Sequence, residues 1–202
     1  MMIEKNQRRF TFGEVYGILR DGMRTAPRLS RARSRHLIDK PFMERIMMAV
    51  TEVNGCAVCS YAHANMALRA GMSETEIRNM SDGRFDDTPD EQMTAILFAQ
   101  HYADSRALPD RDLWQKLIDR YGQTLAEGIL GAIRIIMMGN AIGIPWGSLI
   151  GRFRGKTDSR SSLPYEIGIL LGSVLLIPPA AIHAVVLTII RGPLICTKRS
   201  NH

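Results

Sequence analysis

Two cysteines and a histidine at helical spacing are the residues of this sequence best suited to chemistry. Cys56, Cys59 and His63 come directly after Gly55. An α-helix turns about 100° per residue, so it places all three side chains on one stripe within about 60° of one another. Two cysteines three residues apart at a helix start can close a disulfide with little backbone movement. The spacing therefore predicts thiol redox chemistry on a helix.

The position of the cysteine pair favours a reactive thiol. The free N–H groups and the dipole at a helix N-terminus stabilise a thiolate relative to a thiol, which by itself makes Cys56 the more acidic of the two. His63 lies one turn beyond Cys59, where an imidazole can accept the thiol proton. A thiolate, a neighbouring sulfur and a base are what a thiol peroxidase or a disulfide exchanger requires.

A carboxylate on the preceding helix is the fourth candidate site residue. Glu44 stands twelve residues before Cys56, and the Asn54-Gly55 turn is expected to fold its helix back alongside the cysteine helix. A carboxylate there can relay a proton or hold His63 in one tautomer. Glu52 is nearer in sequence and is the rival for this position, with a capping or supporting role as the alternative.

A metal site is the main alternative use of these residues. Cys-X-X-Cys with one histidine supplies three ligands, whereas a closed structural zinc site usually has four. His36 and His101 have no ligand-like spacing to the pair. We therefore predict no metal, and the sequence carries no flavin or nicotinamide motif that would indicate a bound cofactor. The third cysteine, Cys196, is predicted to be an ordinary free thiol.

The spacing of apolar residues predicts helices nearly throughout the chain, and therefore an all-α fold. Residues 27–35, with a proline and several arginines, are expected to form a connector. Asp39 is the expected N-cap of the helix that carries Glu44, and Ser73 and Thr88 each begin a capping sequence. Helices are predicted at about 12–24, 41–53, 56–70, 88–105, 109–122 and 124–139.

The last part of the chain has a different composition. Residues 167–190 are 24 positions without Asp, Glu, Lys or Arg, and about 20 apolar residues suffice to cross a bilayer. Pro178-Pro179 can kink such a helix or split it into a hairpin within the membrane. We predict an all-α domain at 1–155, then at 156–202 a polar linker and an apolar tail. Membrane insertion of this tail is favoured over a pair of buried helices in an oligomer.

Charge and composition limit the other classes of function. The net charge of +6 equals the excess of basic over acidic residues within 1–35. No nucleic-acid motif accompanies these arginines, so no nucleic-acid partner is predicted. The first twenty residues lack the apolar stretch of a secretory signal, and a single Cys-X-X-Cys pair is not a secreted disulfide framework. A catalytic domain in the cytoplasm, with the tail as a membrane anchor, is therefore expected.

The residues of the candidate site resemble one known family, the alkylhydroperoxidase D branch of the carboxymuconolactone decarboxylase superfamily. The similar features are Glu44, Cys56-X-X-Cys59, His63, Ala67, the break at Gly71-Met72-Ser73, the helix start at Thr88–Glu91, and the apolar stretch 129–144 with Asn140. The resemblance covers roughly residues 11–147. It implies an all-α fold of antiparallel helices that commonly assembles as trimers or hexamers.

The resemblance also implies an activity, which is peroxide reduction or disulfide exchange. Cys59 would be the peroxidatic nucleophile and Cys56 the resolving thiol, with His63 and Glu44 as the proton relay. The implied partners are a hydroperoxide or disulfide substrate and an external dithiol or thioredoxin-like reductant. Ala57 and Val58 stand where some members have a second histidine, so a relay in this chain runs without that residue.

The sequence leaves two other functions open. In the decarboxylase branch, His63 and Glu44 would hold a lactone-type substrate, and the cysteines would be incidental. The second alternative is a membrane-tethered module that responds to redox state or metal without catalysing a reaction.

Overall fold

The predicted all-α fold is confirmed. The computed structural model describes residues 8–159 and 161–198, which form seven helices and no β-structure beyond one isolated bridge between Asp110 and Lys198. The helices are α1 (Phe12–Ser34), α2 (Lys40–Asn54), α3 (Ala57–Arg69), α4 (Glu74–Ser81), α5 (Asp90–Asp104), α6 (Arg111–Phe153) and α7 (Leu163–Ile189).

Helix α6 is the element around which the others assemble, because it packs against α1, α2, α3, α5 and α7. Its side chains Ile129, Leu130 and Ile133 are fully buried. Arg134 on the same helix is also buried, and its Nε donates a hydrogen bond of 2.9 Å to the hydroxyl of Tyr102 on α5. The candidate site and the tail are therefore fixed to the same central helix.

Helix α1 is longer than the sequence predicts. The connector expected over residues 27–35 is wrong, because the helix continues through Pro27 to Ser34. Leu29 and Ala32 are buried beyond the proline, and a Cβ placed on Gly128 of α6 would touch Ala32. Burial of this face against α6 outweighs the local cost of a proline inside a helix.

The bounds of the later helices differ from prediction in two places. Gly122 has φ 72° and ψ 160°, so helical geometry is interrupted there as expected, but the second part of α6 runs to Phe153 rather than to Gly139. The extension buries Ile144 and Ser148. Thr88 does not cap α5; Pro89 takes the N-cap position without a side-chain hydrogen bond.

The tail forms one helix rather than a hairpin, with Pro178 and Pro179 inside α7. It packs along α1 and the end of α6. The Arg152 guanidinium donates to the Glu166 carboxylate at 2.8 Å, and the hydroxyl of Tyr16 lies 2.8 Å from Nδ1 of His183. At the far end, Arg24 donates to the carbonyl oxygens of Leu187, Gly192 and Pro193. Polar contacts therefore fasten α7 to the domain along its length.

The Glu166 contact makes the attachment of α7 sensitive to acid. The hydrogen bond from Arg152 holds the pKa of the Glu166 carboxyl below its ordinary value of 4.5, although burial acts in the opposite direction. A carboxyl whose pKa is lower in the folded than in the unfolded state stabilises the fold at higher pH. This stabilisation is lost as the pH falls below the ordinary carboxyl pKa and then through the lowered pKa of Glu166 in the folded protein.

We predict that Glu166→Gln lowers the unfolding midpoint at neutral pH and flattens its decline in acid, because the variant has no carboxylate to protonate. Thermal unfolding measured from neutral pH to below the ordinary carboxyl pKa tests this. Glu74→Gln, at an exposed position on α4, should keep the wild-type acid profile. Identical acid profiles for wild type and Glu166→Gln would show that this contact does not contribute.

Candidate active site

The turn between α2 and α3 brings the site residues together. Helix α2 starts at the predicted N-cap Asp39, whose side chain accepts a hydrogen bond of 2.8 Å from the N–H of Phe42. It ends at Gly55, which has φ 72° and ψ 30°. This left-handed conformation is accessible to glycine because it has no Cβ. The chain reverses there, so α3 packs back against α2.

The two cysteines form a disulfide at the start of α3, with their Cα atoms 5.3 Å apart. Cys56 is the N-cap of the helix, and its sulfur accepts a hydrogen bond of 3.3 Å from the backbone N–H of Cys59. Cys56 is 0% exposed and Cys59 is 8% exposed. Both cysteines are therefore buried, and Cys59 keeps the larger exposed fraction.

Glu44 and His63 meet across the interface between α2 and α3. The distance between Oε2 of Glu44 and Nδ1 of His63 is 2.7 Å, and both side chains are largely buried. This short separation is typical of a charge-assisted hydrogen bond. Because Nδ1 faces Glu44, Nε2 is the nitrogen left to exchange a proton with a thiol. Side chains on a helix generally lean towards its N-terminus, and Cys59 lies one turn from His63 in that direction.

Glu52, the rival of Glu44, faces a different part of the molecule. A Cβ placed on Gly83 would lie 3.2 Å from Oε1 of Glu52, so this carboxylate points to the turn after α4. Of the two candidates, Glu44 is the residue that contacts His63.

Helix α2 is held in place next to Glu44 by a polar cluster. The Arg45 guanidinium donates to the Glu76 carboxylate at 2.6 Å and to Oε1 of Gln92 at 3.0 Å. These contacts join α2 to α4 and α5, and Glu76 is itself buried. Neither partner belongs to the sulfur site, so the cluster fixes the helix without competing for His63.

Helix α6 forms the wall behind the disulfide. A Cβ placed on Gly143 would lie 2.7 Å from Sγ of Cys59 and 2.8 Å from Sγ of Cys56. Such separations are well inside van der Waals contact, so any larger residue at this position would force the sulfurs or α6 to shift. We did not predict Gly143 from the sequence. The only available signal was the four-residue spacing of Gly139, Gly143 and Gly147, which can indicate a close approach of another helix.

Buried polar contacts join α2 to α6 close to this wall. Oγ1 of Thr51 donates to Oδ1 of Asn140 at 3.2 Å, and Nδ2 of Asn54 lies 3.1 Å from Sδ of Met137. Asn140 is one helical turn before Gly143. These contacts set the position of α6 along α2, and with it the position of Gly143 against the sulfurs.

The remaining candidate residues lie away from the pair. Nε2 of His101 accepts a hydrogen bond of 3.1 Å from the N–H of Asp110, and His36 is exposed after the end of α1. Cys196 is a free, exposed thiol, as predicted. In the part of the chain that the structure describes, no group of three or more His, Cys, Asp or Glu side chains is arranged to hold a metal ion.

Comparison with known proteins finds a family that the region of the site resembles. Residues 29–101 match the model of the Carboxymuconolactone decarboxylase family. The matched segment is less than half of the chain, but it includes Glu44, both cysteines of the pair and His63. No curated protein and no solved structure matches the chain. The region of the site is therefore similar to this family, while α7 lies outside the match.

We predict that Gly143→Ala destabilises the oxidised protein by about 1–3 kcal/mol, because the added methyl group overpacks the space occupied by the sulfurs. Denaturant unfolding measures the loss, and thiol titration measures the fraction of protein that still forms the disulfide. Both the unfolding free energy and this fraction should decrease.

Gly139→Ala is the matched control, because a Cβ there would meet only Cδ1 of Ile136, at an ordinary 3.5 Å. Alanine favours a helix over glycine by about 1 kcal/mol, so this variant should be as stable as wild type or more stable. Equal effects of the two substitutions would contradict the contact between Gly143 and the sulfurs.

Proposed function

We propose that this protein is a thiol oxidoreductase of the alkylhydroperoxidase D type, which reduces hydroperoxides or exchanges disulfides through Cys56 and Cys59. One observation carries the proposal: a buried cysteine pair at a helix N-terminus lies one turn from a histidine that is hydrogen-bonded to a buried carboxylate. The similarity of residues 29–101 to the Carboxymuconolactone decarboxylase family supports it.

Cys59 is the better candidate for the attacking thiol. It has the larger exposed fraction of the pair, and it is four residues from His63. In the reduced protein, His63 accepts the Cys59 proton, and the Glu44 carboxylate stabilises the resulting imidazolium. The Cys59 thiolate then attacks the terminal oxygen of a hydroperoxide and becomes a sulfenic acid. The alkoxide that leaves takes the proton from His63 and departs as an alcohol.

Cys56 fits the role of the resolving thiol. Its sulfur accepts the N–H of Cys59 at the helix start, an environment that favours a thiolate. The Cys56 thiolate attacks the sulfur of the Cys59 sulfenic acid and the disulfide forms as the S–O bond breaks. The leaving hydroxide takes one proton from solvent and departs as water. The helix-start argument and the family assignment are thus compatible, because the more acidic thiol need not be the one that meets the peroxide.

Reduction of the disulfide requires an external dithiol, such as a thioredoxin-like protein. A donor thiolate attacks Cys59, the more exposed of the two, and Cys56 leaves as a thiolate, which the helix N-terminus stabilises. The donor's second thiol then releases Cys59 and closes the donor's own disulfide. Exposed apolar side chains of α3, including Tyr61 at 76% exposure, offer a surface for this donor or for another subunit of a homo-oligomer.

We predict that Cys59→Ser abolishes peroxide consumption, because it removes the nucleophile. Cys56→Ser should instead accumulate a sulfenic acid on Cys59 after one equivalent of hydroperoxide, which a dimedone adduct detected by mass spectrometry would reveal. Cys196→Ser is the control and should retain wild-type turnover. A dimedone adduct on Cys56 in the Cys59→Ser variant would reverse the assigned roles, and peroxide turnover by that variant would contradict the proposal.

The relay makes a separate prediction. Replacing His63 with alanine should slow peroxide reduction about 10²–10⁴-fold, the range typical of a lost general base. Glu44→Gln should give a smaller decrease, because the imidazole remains but its charged form loses the carboxylate. The rate of Cys59 alkylation, measured across pH, should decrease in the same order: wild type fastest, Glu44→Gln slower and His63→Ala slowest. Glu52→Gln, on the same helix but facing Gly83, should react like wild type, and an equal loss in that variant would argue against the relay.

A lyase of the decarboxylase type is the second candidate. The observation that favours it is the hydrogen bond between Glu44 and His63, which needs neither cysteine. In that case a variant with serine at both Cys56 and Cys59 would keep its activity on a lactone-type substrate. Loss of all activity in the double variant, with its fold retained, would eliminate this candidate.

A further inference from the structure

The outer side of α7 is an unusually apolar surface for a domain that is otherwise charged. The helix has 27 residues with a mean hydropathy of 2.2 in its most apolar window, and only 22% of that window is buried. By length and composition it could cross a membrane, as could α6, but α6 is 72% buried as expected for a core helix. The apolar character of α7 is therefore not explained by packing within the chain.

The buried and exposed residues of α7 occupy opposite sides of the helix. The buried side comprises Glu166, Ile169, Ser173, Ala180 and Ala184, which fall within about 60° at 100° per residue. The exposed side includes Leu171, Val174, Leu175, Ile182, Val185 and Ile189, which fall within about 100° on the opposite side. Apart from Ile169, the inner side carries small and polar residues, and the outer side carries large aliphatic ones.

The inner side of α7 makes polar contacts with the rest of the domain, which argues against a separate α7 that spans a bilayer. Its contacts include the ion pair of Glu166 with Arg152 and the hydrogen bond of His183 with Tyr16. Arg24 also holds the carbonyl oxygens at the C-terminal end of α7. A spanning α7 would have to break these contacts or take α1, with its buried Arg24, into the bilayer. The helix can instead remain docked and present its outer side.

Charged residues at the two ends of α7 indicate which kind of partner binds the outer side of this helix. Exposed Arg154 and Lys156 precede the helix, and exposed Arg191 and Lys198 follow it; Arg160 and Arg199 lie outside the described residues. No Asp or Glu occurs from residue 167 to 198. A symmetric pair of α7 helices would bring these cationic ends together, whereas an anionic lipid surface would attract them.

A second group of exposed apolar residues extends the surface from α7 towards the site. Ile142, Trp146 and Phe153 on α6 are exposed and fall within about 40° of one another, so they form one stripe along that helix. Phe153 is 83% exposed at the end next to α7, and Ile142 directly precedes the sulfur-contacting Gly143. Tryptophan and other aromatic side chains favour the interface between lipid and water.

We propose that the outer side of α7 is a lipid-binding surface that holds the domain on an anionic bilayer, with the helix lying in the plane of the membrane. Such helices insert their apolar side to a depth of about 5–10 Å, while basic residues contact the anionic headgroups. The surface does not depend on the chemistry of the cysteines, so it is independent of the proposed redox activity.

Vesicle flotation with the full chain tests this surface. The protein should bind vesicles of phosphatidylcholine and phosphatidylserine more tightly than vesicles of phosphatidylcholine alone, and salt should weaken the binding. The double variant Leu175→Asp/Ile182→Asp should bind at least about tenfold more weakly, because two aliphatic side chains no longer enter the lipid. Both positions are highly exposed, at 75% and 67%, so the fold should be retained.

Leu97→Asp is the matched control. Leu97 is 57% exposed on α5, which does not pack against α7, so this variant should bind vesicles like wild type. Equal weakening by Leu97→Asp, or no binding of wild type to either vesicle, would overturn the proposal. A third outcome would also overturn it: without lipid, wild type forms an oligomer that the double variant does not form, while both proteins bind vesicles equally.

Cys196 separates an in-plane helix from a spanning one. It follows α7 and is the only cysteine outside the disulfide, so oxidised protein offers one thiol for labelling. A membrane-impermeant maleimide added outside sealed vesicles should label Cys196 of bound protein as completely as in solution. Protection of Cys196 until the vesicles are opened with detergent would mean that α7 spans the bilayer, which contradicts the in-plane arrangement.

Discussion

The hydrogen bond between Glu44 and His63 joins α2 to α3 at a largely buried point of their interface. A buried carboxylate or imidazole without a partner costs about 1–3 kcal/mol or more, so each side chain depends on the position of the other. That dependence fixes α3 against α2, and the left-handed turn at Gly55 makes the required reversal of the chain possible. The cysteines occupy the first turn of the helix that is held in this way.

Helix α6 turns this local arrangement into an enclosed site. Gly143 lies against both sulfurs, and the contact between Thr51 and Asn140 sets where along α2 that glycine falls. The same helix continues to Arg152, whose ion pair with Glu166 attaches α7. A displacement of α6 would therefore alter both the packing around the disulfide and the attachment of the tail, which makes this helix the mechanical link between the site and the lipid-binding surface that we propose.

The sequence was sufficient to predict the parts of this arrangement that arise from local patterns. Cys56, Cys59 and His63 follow the turn at Gly55 and Glu44 precedes it, so the spacing made Glu44 a candidate partner of His63. Spacing left Glu52 as a rival, and the family resemblance favoured Glu44. Gly143 escaped prediction because its partner atoms are remote in sequence and glycine has no side chain to signal a role. The predicted length of α1 was wrong for a related reason. Pro27 is a local signal for the end of a helix, but burial against α6, which is remote in sequence, overrides it.

The central claim is that Cys56 and Cys59 are a dithiol that peroxide oxidises, and the most direct measurement is a count of thiols. Reduced protein, with its three cysteines, is treated with one equivalent of hydroperoxide, and the free thiols are then alkylated and located by mass spectrometry. We predict that two thiols per chain are lost as a disulfide between Cys56 and Cys59, that Cys196 remains free, and that a dithiol restores the pair. Unchanged thiols at Cys56 and Cys59, or oxidation of Cys196 ahead of them, would contradict the account.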